Sequence, residues 1–155
     1  MNQQRHLNQQ RHFPRPALAL CGGYLALALI SIYLSRNSNG VAFFWLPNVI
    51  AFAVLVRTPF KQWSTVLVAC VTGNFIANVV AQIPLPLAVG FSLINLIEYS
   101  LGAWLCIHLT GYRQPPLTLD QSIRILLLLV LLVTPFCAVL SASVMSHQLN
   151  APWAE

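Results

Sequence analysis

Apolar residues gather in five runs, at 16–35, 41–56, 63–82, 87–109 and 122–145, divided by short polar stretches. A helix needs roughly 20 apolar residues to cross a bilayer. The runs therefore predict an all-α fold, a polytopic transmembrane helix bundle of about five spans. The second run is short. At about 1.5 Å per residue it reaches roughly 24 Å, so it must stand upright or borrow flanking residues. It also contains Pro47, which removes a backbone bond and predicts a kink; Pro135 predicts another in the fifth run. The IPLP stretch at 83–86 makes a tight turn, so the third and fourth spans are expected to be antiparallel neighbours.

The ends differ from the middle. NQQRH occurs at 2–6 and again at 8–12. This polar, basic repeat predicts a disordered tail over 1–15. Residues 148–155 form a second tail, and 16–147 make one membrane domain. The first run is longer than a signal-peptide core and no A-x-A-like site closes it, so a retained signal anchor is expected.

Composition agrees with the runs. The chain is 57% hydrophobic and only 7% charged, whereas soluble domains carry about 25% charged residues. The net charge of +5 raises nucleic acid as a partner. The Lys and Arg residues, however, are scattered at the edges of apolar runs, which is the pattern of membrane-orienting charge. Five spans place every one of them except Arg36 on the side of the N-terminus. That side is expected to be cytoplasmic and the C-terminus of the chain outside. Cys21, Cys70, Cys106 and Cys137 fall in four different runs and form no C-x-x-C pair. They read as small buried residues, not as a disulfide or zinc framework.

The candidate chemistry lies on the helix faces. Ala69, Gly73, Ala77 and Ala81 repeat every four residues, a stripe that lets a neighbouring helix approach closely. Asn74, Asn78 and Gln82 form an adjacent stripe. Asn95, Glu98 and Gly102 share one face of the fourth span, and Asn48 follows Pro47 in the second. Three spans thus carry polar groups near the bilayer midplane. Glu98 is the only acid inside a span and has no cation at its depth. Such a group costs about 2.5–3.5 kcal/mol on insertion scales and persists with a partner or a purpose. Hydrogen bonding of a neutral carboxyl by asparagine amides is the expected arrangement. Asparagines also serve as glue between membrane helices. Trp45, Trp63 and Trp104 are expected at the membrane interfaces, and His108 as an interfacial residue with no metal.

Three segments together resemble a known family: FFWLPNVIAFAVLV, GNFIANVV and NLIEYSLGAWL. They look like the first type of bacterial membrane-associated sensor domain. The shared features are Trp45 and Pro47 opening the second span, Gly73 and Asn74 in the third, and Asn95, Glu98, Gly102 and Ala103 in the fourth. The resemblance implies a domain of about eight spans in the cell inner membrane, preceding a cytoplasmic output module such as a histidine kinase or a cyclic-di-GMP enzyme. This chain has five runs, so it is expected to be the front part of such a sensor. No output motif is present, and no enzymatic activity or cofactor is expected.

The expected partners are the lipid bilayer, an unidentified small-molecule ligand and a second copy of the chain, with no nucleic acid. The ligand-binding or polar-core candidates are Asn48, Asn74, Asn78, Asn95 and Glu98. A small transporter subunit or substrate-binding component with a midplane Asn/Glu site is the competing reading. An intramembrane enzyme is disfavoured, because neither G-x-S-x-G nor H-E-x-x-H occurs.

Overall fold

A computed structural model describes residues 14–35, 45–110 and 118–149 of the chain. Residues 1–13 of the expected N-terminal tail, Arg36, Arg113 and most of the C-terminal tail lie outside them, while the tail's last two residues, Pro14 and Arg15, begin the first helix. The described residues form helices and no strands. The helices are α1 (Pro14–Ser35), α2 (Pro47–Arg57), α3 (Trp63–Val80), α4 (Leu85–Thr110), α5 (Leu119–Leu128) and α6 (Thr134–Leu149). A π-helical segment, Leu129–Val133, joins α5 to α6 into one span. A short 3-10 turn, Phe60–Gln62, leads into α3.

Four helices are long and apolar enough to cross a membrane, and α2 is not one of them. Its 11 residues extend about 16 Å, close to half of a hydrocarbon core of about 30 Å. The sequence placed a kink at Pro47. Instead Pro47 is the first residue of α2, where its absent N–H leaves no helical bond unmade and its fixed φ suits the helix start. Pro135 does disturb its helix. It can donate no backbone bond and its ring crowds the carbonyl four residues back. The helix answers with the π segment just before it, closed by a bond from Thr134 N to the Leu129 carbonyl.

The turn between α3 and α4 is tight, as expected. It is built by Gln82, whose φ of 62° is left-handed. Gln82 N donates to the Val79 carbonyl at 3.0 Å and Ile83 N to the Asn78 carbonyl at 3.0 Å. These two bonds satisfy the last open carbonyls of α3, and Pro84 then stops the chain from continuing the helix.

Helix α3 packs against α1 and α4, and α2 touches α1, α3 and α4. The small-residue stripe explains the first contact. A Cβ on Gly73 would stand 2.8 Å from the backbone oxygen of Cys21, so only glycine permits this approach. Ala69 and Ala77 are buried on the same face. The main core joins α1 to α4 with Ile125 of α5; a smaller cluster of Ile94, Val133 and Cys137 ties α4 to the last span.

Candidate functional site

Helix α4 supplies one stripe of three residues, Asn95, Glu98 and Gly102, and every neighbour of interest meets that stripe. Glu98 stands at the middle of α4. Tyr24 stands at the middle of α1, and Thr134 at the middle of the span made by α5 and α6. Asn48 is the second residue of α2. The start of α2 is therefore drawn to the depth of the other three helix centres.

Asn48 is the hub. Its Nδ2 donates to Glu98 Oε2 at 2.6 Å and to Asn95 Oδ1 at 3.1 Å. Its Oδ1 accepts from the Tyr24 hydroxyl at 2.7 Å. One amide thus fills both donors and an acceptor, and it joins α1, α2 and α4. Backbone contacts hold it in place. Leu46 N donates to Ser31 Oγ of α1 at 3.3 Å, and Val49 N donates to the Leu46 carbonyl. Among the described residues the one salt bridge, Arg124 to Asp120, is exposed at the start of α5 and does not reach Glu98.

The other asparagines form a separate pair. Asn78 Nδ2 donates to Asn74 Oδ1 at 3.1 Å, one turn apart on α3. Both are buried, and no hydrogen bond connects them to Glu98. Among the described residues, three buried donors have no partner: Trp45 Nε1, Asn74 Nδ2 and the Tyr99 hydroxyl. The Tyr24 ring stands edge-on to Tyr99 with centroids 6.3 Å apart. Trp45 packs against the core cluster that contains Tyr24. Gly73, next to Asn74, packs against Tyr24 Cβ.

The sequence candidates thus divide. Asn48, Asn95 and Glu98 come together; Asn74 and Asn78 lie beside them as their own pair. Tyr24 was missed, although it lies near the centre of its apolar run. The three tryptophans have different surroundings. Trp63 is buried, and its Nε1 donates to the Leu55 and Thr58 carbonyls, closing the end of α2. Trp45 packs against the main core. Trp104 is exposed and stacks on His108 with centroids 4.3 Å apart. Among the described residues no group of three His, Cys, Asp or Glu side chains could hold a metal. Gly102 and Ala103 are buried; a Cβ on Gly102 would meet Leu129 Cδ2 at 2.9 Å and Phe52 at 3.6 Å.

Comparison with known proteins gives one match. The model of the family described as MASE1 fits residues 16–153. No curated protein and no solved structure matches the chain.

Proposed function

Because the chain belongs to the MASE1 family of membrane-associated sensor domains, we propose that it is the signal-input part of a bacterial signalling protein. It is a multi-pass membrane protein. In this reading it lies in the inner membrane with its N-terminus in the cytoplasm, and it controls an output module there, a histidine kinase or a cyclic-di-GMP enzyme. The observation that carries the reading is the Asn48 amide, which ties three helices together at one depth through Tyr24, Asn95 and Glu98. A stimulus that altered any one of these bonds would alter the packing of all three helices. A protein that senses through its packing needs such a junction.

The stimulus in this reading is a small solute bearing acceptor oxygens. Trp45, Asn74 and Tyr99 offer buried donors that nothing among the described residues accepts, and buried donors left unpaired cost about 1–3 kcal/mol each. A ligand that accepts from them would recover that energy on binding.

The test uses the gene beyond codon 155 and the protein it encodes. Further spans and a cytoplasmic signalling module are expected. In that protein Glu98→Gln and Asn48→Ala should abolish or lock the stimulus-dependent output at unchanged membrane levels. A normal response from both variants overturns the role given to the Asn48 junction.

A second reading, a substrate-binding component of a transporter, draws on the start of α2 at the depth of Glu98, since discontinuous helices often frame transported solutes. Solute uptake by the chain in proteoliposomes, lost in Glu98→Gln, would favour it.

A further inference from the structure

Four aromatic rings form a row at the end of the bundle where α2 ends, α3 begins and α4 ends. Phe60 opens the span that continues through α3, and Leu109 closes the span of α4. The Phe60 ring stands 4.6 Å from Trp63 and 6.2 Å from His108, centroid to centroid. Trp104 lies 4.3 Å from His108. The His108 ring is fixed by its Nδ1, which donates to the Trp104 carbonyl at 2.9 Å. Trp63 is buried, whereas Phe60, Trp104 and His108 are exposed. Two large apolar rings thus stand open at the ends of two spans, where hydrocarbon gives way to headgroups and aromatic side chains are at home.

Two cations flank Phe60 in the chain. Arg57 is the last residue of α2, and Lys61 lies in the 3-10 turn that Phe60 opens. Both are exposed. Neither has an acidic partner among the described residues. Glu98 is at mid-span, and Asp120 is bonded to Arg124 at 2.9 Å. Nor is Arg57 occupied in closing α2. The Val54 carbonyl already accepts from the Thr58 hydroxyl, and the Leu55 carbonyl from Thr58 N and Trp63 Nε1. Two unpaired positive charges beside open rings at a span end complement one kind of group, a phosphate that carries hydrocarbon.

We propose that this end of the bundle is a binding site for the headgroup of an anionic phospholipid. Arg57 and Lys61 hold the phosphodiester, and the acyl chains lie against Phe60 and Trp104. The rings decide the source of the phosphate, since a free ion would use the cations and leave the rings bare. The site goes beyond the sensor reading and is independent of it, because it needs only that the chain lies in a bilayer.

The test uses the full chain in phosphatidylcholine vesicles. Dibrominated phosphatidylglycerol or dibrominated phosphatidylcholine is added in rising fraction, equally in both leaflets, so that the orientation of the chain has no effect. Bromine quenches a nearby indole, and the fluorescence lost in Trp104→Phe isolates the signal of this site. Trp104 should be quenched at lower fractions of the phosphatidylglycerol. Arg57→Gln and Lys61→Gln should each reduce this preference by about fivefold, the usual worth of one basic residue at an anionic surface, and the double variant should reduce it by about thirtyfold. Quenching by phosphatidylcholine should stay as it was. Arg124→Gln removes a cation that Asp120 already holds, and the preference should survive it.

Equal quenching by the two lipids in the unaltered chain overturns the site. So does a preference unchanged in the variants of Arg57 and Lys61; the single variants decide this if the double variant misfolds, which altered quenching by phosphatidylcholine would reveal. A loss in Arg124→Gln as large as in Arg57→Gln would reduce the effect to the net charge of the surface and overturn it as well. Loss of the preference on adding inorganic phosphate at constant ionic strength would assign the cations to a free anion and overturn the part given to the lipid.

Discussion

The Asn48 amide donates to the Glu98 carboxyl at 2.6 Å, so the first turn of the short helix α2 is bonded to the centre of the longest unbroken one, α4. This contact explains why a chain so poor in acids keeps one in mid-span. Glu98 is an acceptor on which α2 is seated.

Substitution of Glu98 separates its hydrogen bonding from its charge. Glu98→Gln keeps an oxygen for the Asn48 donor, and the chain should reach the membrane at wild-type levels. Glu98→Lys offers only donors to an amide that is already donating, and an ammonium replaces the acceptor at mid-span. Its accumulation in membranes should collapse, in line with an insertion cost of about 2.5–3.5 kcal/mol for an unpaired charge. Quantitative blotting of membrane fractions measures both. Equal levels would mean that Glu98 does not seat α2.

The contact between α1 and α3 rests on the missing Cβ of Gly73. Gly73→Ala should lower stability by about 1–3 kcal/mol, the usual cost of overpacking, because its methyl meets the Cys21 backbone at 2.8 Å. Gly22→Ala and Gly23→Ala are the controls, since a Cβ at either meets nothing within 4 Å. Thermal unfolding in detergent should separate the first variant from the other two. Three equal melting curves would contradict the crossing described above.

Gln82 pays for its left-handed turn with backbone strain. Gln82→Gly should relieve it and raise stability, by up to about 1 kcal/mol, because glycine alone is at ease there. The same melting assay applies, and a fall in stability would show that the Gln82 side chain contributes more than its φ of 62° costs.

Trp63 closes the end of α2 through its indole N–H. Trp63→Phe keeps the ring and removes the donor to the Leu55 and Thr58 carbonyls. Stability should fall by about 0.5–1.5 kcal/mol, the net worth of a typical hydrogen bond. An unchanged melting temperature would mean that other donors reach those carbonyls.

Much of this was legible from apolar runs and four-residue spacings. The runs located α1, α3, α4 and the last span, because hydrocarbon solvent demands long apolar helices. The stripe through Gly73 announced the close crossing. The rank of Glu98 among the candidates followed from its isolation in an apolar run. Three features were not legible. A proline inside a run does not say whether it starts a helix or bends one, and Pro47 starts one. A tyrosine reads as an ordinary apolar residue until its hydroxyl is placed, so Tyr24 went unmarked. The alternation between α and π winding at Leu129–Val133 leaves no period in a stretch of near-uniform leucine and valine.

Among the described residues, the last span is the least buried of the four that can cross a membrane, and α4 is its one helical neighbour. The other four helices brace one another in several directions. Partial opening of the folded protein therefore has an order. The α5–α6 unit can separate at a lower free energy than the rest, and its amides should lose protection first in hydrogen exchange. Such an opening is an ordinary excursion of the native state, and it leaves the Tyr24–Asn48–Glu98 junction standing.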